Sequence, residues 1–307
     1  MVWNMDSEKI NKYEKAYVLY ANEAYIDIVT MCAKSIKAFS DYPIYVYLLN
    51  TDKLIPDVLN VPWKYEYDLL EDTEMYINKD DNFYVNRNSR NVFYLIKERP
   101  RIIEYTLRNF AKKVCYVDCD SIATKYIDRA FDMFDEDSIY PYFTEGIYEF
   151  LMMNGRGGAE SRDNLSGTLE APICDLFNIN QYNRKIYRTS NLFVAGQNCI
   201  DFLKEWYWLC LNPKVMKSPE WYAPFQEETV ANALLWKYDF QKGLPYSYCN
   251  GNSEKIDKVY KTIGFNGKDQ MISEWFKIPS KEENLLVFHG QKDINEMKKM
   301  LNKLKAL

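Results

Sequence analysis

The opening stretch of the chain constrains its fold most. "AYVLYAN" (16–22) is a short apolar run of strand-forming residues. "AYIDIVTMCAKSIKAF" follows, with Ile28, Val29, Cys32, Ile36 and Phe39 at helical spacing. "PIYVYLLN" (43–50) reads as a second strand. Strand, helix, strand at this spacing is a βαβ unit, and it commits the chain to a parallel sheet.

The remaining elements extend that pattern. Residues 56–90 are polar and aromatic with no clear period. Ile102, Ile103, Leu107 and Phe110 predict a helix that begins after Pro100 and leads into the apolar run Val114 to Val117. "SNLFVAG" (190–196) reads as a strand, followed by a helical stripe of Ile200, Leu203, Trp206, Tyr207 and Cys210. Val230, Ala231, Leu234, Leu235 and Tyr238 mark one more helix. Four of the eleven glycines lie between Gly155 and Gly167, a loop that lacks the Gly-Lys-Ser/Thr ending of a phosphate-binding P-loop. There is no internal repeat and no convincing linker, so residues 1–307 are expected to form a single domain.

Composition narrows the classes. Apolar residues make up 47% of the chain, enough for a sizeable core, and the net charge of −5 argues against general nucleic-acid binding. The seven cysteines are odd in number, scattered and free of any C-x-x-C, which predicts reduced thiols. The N-terminus carries acids and lysines where a signal peptide needs an apolar core, and no apolar run approaches the ~20 residues of a membrane helix. The expectation is a soluble, cytoplasmic protein.

The chemistry is concentrated in "KKVCYVDCDSIATKYI" (112–127). An apolar run ends in Asp118 and Asp120, which would project together if the strand continued through them. Two carboxylates that close repel each other unless a cation sits between them or one takes a proton. Ligands of open α/β sheets bind beyond the carboxyl ends of the strands, and Mg²⁺ or Mn²⁺ suits carboxylate oxygen. The competing reading is a solvated turn with Asp120 or Ser121 as a helix cap. The chain's single histidine, His289, stands in "LLVFHGQKD" (285–293) beside Gly290 and Lys292. Imidazole suits Mn²⁺, the glycine admits a phosphate to the backbone, and the lysine supplies a point charge. A satisfied, partly buried histidine is the plainer account of that residue alone. Together D-x-D and H-G-x-K describe a metal–diphosphate site.

In these motifs the sequence resembles glycosyltransferase family 8, the glycogenin and lipopolysaccharide galactosyltransferase group. The resemblance covers most of the chain, in order. It implies a GT-A fold, a Rossmann-like α/β/α sandwich with a central, mostly parallel sheet. "KAYVLYANEAYIDIVTMCAKSIKAF" looks like the family's opening strand and helix, where Ala21, Asn22 and Tyr25 would hold the nucleotide base and ribose. "RPRIIEYTLRNFAKKVCYVDCDSIA" looks like its helix and D-x-D strand, with Arg101 placed to face the donor phosphates. "RTSNLFVAG" is similar to a sugar-side segment and offers Ser190 and Asn191, in a different order. "FQEETVANALLWKY" resembles the family's D-Q-D helix opening, with Glu227 and Glu228 in place of Asp and Gln. "FHGQKD" is similar to a longer terminal motif and lacks its Pro-Trp.

The resemblance implies Mn²⁺ or Mg²⁺ held by Asp118, Asp120 and His289, with Asp118 also in reach of the ribose. It implies a nucleotide-sugar donor, UDP-linked, on Gly290, Lys292 and Arg101. Retention of anomeric configuration follows, with Glu227, Glu228 and Asn191 as catalytic candidates near the sugar. An acidic first turn of a helix explains the two glutamates as well. The acceptor would be a glycan, glycolipid or protein-linked hydroxyl, and "EWYAPF" (220–225) could line its site. The C-terminal helix, about 293–307, puts Ile294, Met297, Leu301 and Leu304 on one face. It is expected to pack on its own domain, with contact to a membrane surface as the alternative. A homodimer is compatible with all of this.

Three rivals use the same residues differently. A haloacid-dehalogenase-type phosphatase also ends a strand in D-x-D, but its motif lies near the N-terminus and is followed by Thr or Val where Ile122 stands here. A nucleotidyltransferase would open with a Gly-rich basic loop, which "YANEAY" is not. A degenerate carbohydrate-binding protein would keep the fold without turnover.

Overall fold

A computed structural model describes residues 12–64, 97–132, 139–144, 186–211, 226–240 and 286–306. Strand β1 (Tyr13–Asn22) is followed by a 3-10 turn (Glu23–Tyr25), helix α1 (Ile26–Lys37) and strand β2 (Ile44–Leu49). β1 and β2 pair in parallel, with Tyr17 opposite Ile44 and Asn22 opposite Leu49, so the expected βαβ unit is present. Strand β3 (Leu59–Trp63) adds to β2 in parallel and was not expected. It occupies the sheet edge, carries Pro62 and buries only Trp63, so neither alternation nor a continuous apolar run marks it.

Helix α2 (Glu98–Asn109) begins before Pro100, not after it. First-turn N–H groups have no intrahelical partner, so proline costs nothing there. Strand β4 (Ala111–Val117) follows and lies beside β1 in parallel, with Val18 opposite Tyr116. The six-stranded order is β3-β2-β1-β4-β7-β6, where β6 (Tyr140–Thr144) and β7 (Ile186–Gly196) run antiparallel at the far side. The chain leaves β1 toward β2 and β3, then returns to β4 on the other side. Between β1 and β4 lies the switch point where open α/β sheets bind ligands.

Alternation along the strands builds two cores. Ala16, Val18, Val114 and Tyr116 face α2, α3 (Ile200–Cys210) and α4 (Gln226–Lys237). Tyr17, Leu19, Cys115 and Val117 face α1. The result is an α/β/α sandwich. A two-stranded antiparallel sheet, β5 (Ser121–Ala123) with β8 (Val287–His289), lies on the α1 side. Helix α5 (Ile294–Lys305) packs Met297, Met300 and Leu301 on Met31, Ile122 and Phe288, so its apolar face is covered by its own domain. Asp293 caps it, Oδ1 accepting from Asn295 N at 2.8 Å and Glu296 N at 3.1 Å. Cys32, Cys115, Cys199 and Cys210 are buried thiols, and Cys119 is half-buried. Among the described residues no helix is long and apolar enough to cross a membrane.

Candidate functional site

β4 stops at Val117, so the two aspartates do not share a strand face as the sequence suggested. They occupy the turn between β4 and β5. What gathers the site is the β5–β8 ladder, which sets Ser121 opposite His289 and thereby brings the distant C-terminal segment to the D-x-D. The ladder continues into the turn: the Asp120 carbonyl accepts from Gly290 N and Gln291 N, both at 3.0 Å. Ser35 of α1 ties the same segment down, its Oγ accepting from Ala123 N at 2.8 Å.

The side chains converge. His289 Nε2 lies 3.1 Å from Asp120 Oδ1 and 3.5 Å from Asp118 Oδ2. One ligand atom from each of the three residues falls within 4.8 Å of the others. Two carboxylates and an imidazole are a donor set that Mn²⁺ or Mg²⁺ accepts, so the residues fit the cation they were expected to hold. Side-chain exposures of 21% for Asp118, 13% for Asp120 and 27% for His289 leave the cluster reachable yet poorly solvated.

The electrostatics follow from that packing. Burial disfavours the charged imidazole, but hydrogen bonds and charge from Asp118 and Asp120 outweigh it and raise His289 to about 9. Burial likewise works against the Asp118 carboxylate. Hydrogen bonding to His289, the Arg99 guanidinium and the Tyr116 hydroxyl overcome it and hold the carboxyl below its ordinary value. Burial and then the two aspartates push the Cys119 thiol up, so it stays protonated between them.

The other expected residues divide into three groups. Lys292 Nζ lies 4.0 Å from Asp120 Oδ2 and 5.7 Å from the Tyr25 ring centroid, so Tyr25 and Lys292 flank the cluster. Gly290 has φ +89°, a conformation that favours glycine, and a Cβ there would meet nothing within 4 Å. Ala21 and Asn22 end β1 at the same carboxyl end of the sheet, and Asn22 Oδ1 is buried without a hydrogen-bond partner among the described residues. Arg101 turns elsewhere: it pairs with Glu98 at 3.1 Å and lies over Trp63 at 4.8 Å and Tyr207 at 5.6 Å. The guanidinium that acts on Asp118 is Arg99, two residues earlier. Glu227 and Glu228 fall in the first turn of α4 and Asn191 in β7, but their side chains lie outside the described residues. So do the glycine-rich loop and residues 220–225.

Sequence reading passed over Arg99 and Tyr116. Arg99 looked like a residue before a helix, and it is buried in the first turn of α2. Tyr116 looked like core, and it donates to Asp118 Oδ1 at 2.5 Å. Its place in the last residues of the strand that leads into Asp118 was the available signal.

No protein-family profile matches the sequence, and no curated protein matches it. Solved structures do match in fold. The galactosyltransferase LgtC, solved with donor and acceptor sugar analogues, superposes with a TM-score of 0.51 over 95% of this chain and 96% of its own, at 12% identity. The bifunctional glycosyltransferase WbbM superposes with a TM-score of 0.53 over 95% of this chain, at 11% identity, and this chain spans 50% of its length. Likeness at such identities establishes the fold: a mixed α/β architecture with a mostly parallel central sheet, of the GT-A type.

Proposed function

We propose that this protein is a metal-dependent glycosyltransferase of family 8 that moves a hexose from a UDP-linked sugar to a hydroxyl acceptor, with retention. The observation that carries the reading is the Asp118–Asp120–His289 cluster, set at the carboxyl end of β4 beside the sheet's switch point. Both superposing structures named above are glycosyltransferases, and one was solved with donor and acceptor sugar analogues, which supports the same chemistry. A divalent cation held by Asp118, Asp120 and His289 would neutralise charge that develops on a departing diphosphate.

The chain's own residues then take distinct roles. Lys292, 60% exposed and flexible, closes on the phosphates as a point charge. Gly290, with open space where a side chain would stand, lets a phosphate oxygen approach the backbone. Asn22 Oδ1, buried and unpartnered among the described residues, is an acceptor for base or ribose, and the Tyr25 ring borders the same space. Arg99 contributes positive charge from the buried side, a task first expected of Arg101. Glu227, Glu228 and Asn191 remain the residues assigned to the sugar, where a carboxylate would offset the oxocarbenium-like charge at the anomeric carbon. The acceptor is a glycan, glycolipid or protein-linked hydroxyl, and residues 1–307 act as one domain. A membrane contact through α5 would use its lysine-bearing face, since the apolar face is covered.

The test is a panel of nucleoside diphosphates and their sugars, titrated with Mn²⁺ and with chelator while slow donor hydrolysis is followed. The reading predicts Mn²⁺-dependent binding of UDP or its sugars that disappears in Asp120→Ala and His289→Ala. Folded protein that binds no nucleotide under any condition would refute it.

A further inference from the structure

We infer that Tyr116 is a positioning residue for the metal site: its hydroxyl holds Asp118 so that one carboxylate oxygen is turned toward the cation. The inference rests on the reading of Asp118, Asp120 and His289 as metal ligands. Tyr116 Oη donates to Asp118 Oδ1 at 2.5 Å, while Oδ2 of the same carboxylate lies 3.5 Å from His289 Nε2. The two oxygens are therefore divided between the sheet and the site.

The need for such a support follows from the backbone. Asp120 is fixed through its own carbonyl, which accepts two N–H groups from the chain after β8. Asp118 lies just past the last ladder position of β4. Among the described residues its carbonyl receives only a long Sγ–H contact from Cys32, at 3.6 Å. A carboxylate in that position can rotate unless its side chain is held.

Tyr116 is suited to hold it because its ring is packed from several sides. It is 1% exposed and meets neighbours from three elements. Tyr20 of β1 stacks on it at 5.9 Å, Phe193 of β7 packs at 5.1 Å, and the Arg99 guanidinium of α2 lies 5.1 Å over the ring. The position of the hydroxyl is thus set by the packed sheet, and the geometry of Asp118 inherits that rigidity. Outer partners that orient a ligand typically change metal affinity by about 10–100-fold when removed. A purely structural tyrosine would alter stability and leave affinity alone.

Tyr116→Phe separates the two, because it keeps the ring and removes only the hydrogen bond. Mn²⁺ affinity, read by electron paramagnetic resonance without nucleotide, should fall about tenfold or more. Excess Mn²⁺ should restore turnover, so the loss sits in the Mn²⁺ requirement and not in kcat. An unchanged Mn²⁺ affinity in folded Tyr116→Phe would overturn the inference. Wild-type protein that binds no Mn²⁺ would instead remove the metal-site reading beneath it. Should Tyr116→Phe fail to fold, 3-fluorotyrosine placed at position 116 reports the same contact. Its ¹⁹F signal should move when Mg²⁺ fills the site, and a signal that stays put refutes the coupling.

Discussion

In protein stripped of metal, Asp118 and Asp120 keep a proton on His289 and raise it to about 9. A metal ligand must be the neutral imidazole, so cation binding has to expel that proton. Below about pH 9, Mn²⁺ affinity should therefore rise close to tenfold per pH unit, and flatten above it. Calorimetry in buffers of different ionisation enthalpy should count one proton released per Mn²⁺ at pH 7. A count of zero would mean that His289 carries no proton for the cation to expel. The same shift has a stability consequence with a definite sign. The folded value lies above the ordinary 6.5, so the contribution is full below pH 6.5 and is lost as pH rises through about 9. Metal-free protein should melt progressively lower across that window, and His289→Ala should lose that part of the slope. At this scale the sequence was informative about which residues meet, because D-x-D and H-G-x-K carry their chemistry locally. It was silent on Arg99 and Tyr116, whose roles depend on what packs over them.

The elements that assemble the site are small. β5 and β8 have three residues each, and their pairing is what carries His289 to Asp120. Three-residue strands lack the length for a periodic signal, so neither was legible, and the D-x-D was read as the end of a longer strand. Two substitutions test how the pair is held. Ser35→Ala removes a buried hydroxyl that accepts from Ala123 N and donates to the Cys32 carbonyl at 2.6 Å. It should cost about 1–3 kcal/mol in chemical denaturation, since it orphans a buried donor. Gly290→Ala should cost about 1–2 kcal/mol from the left-handed conformation alone, because no atom crowds the added methyl. A much larger loss would mean that the turn rearranges. Longer elements were easier to read: α1, β1, β2 and α5 show clear apolar stripes and appear close to their expected bounds.

Across the whole molecule, helix α3 buries one face in the core it shares with α2 and α4 and leaves the other exposed. Trp206 of α3 is fully buried against Phe193 and Phe202, whereas Trp208, two residues on, is 65% exposed. Trp206→Ala should destabilise by about 3–5 kcal/mol, and Trp208→Ala should stay within about 0.5 kcal/mol. The parallel sheet was legible from one βαβ unit, because that unit leaves little choice of class. The antiparallel far side was not, since β7 alone reads the same in either direction.

The most direct test uses the fact that the chain has one histidine. Tag-free protein labelled with ¹⁵N-histidine, loaded with Mn²⁺ and UDP, is measured by pulsed electron paramagnetic resonance. The account predicts a ¹⁵N coupling to the metal that can come only from His289 and that vanishes in Asp120→Ala as Mn²⁺ is lost. Bound Mn²⁺ with no nitrogen coupling would place the cation elsewhere and contradict the site proposed here.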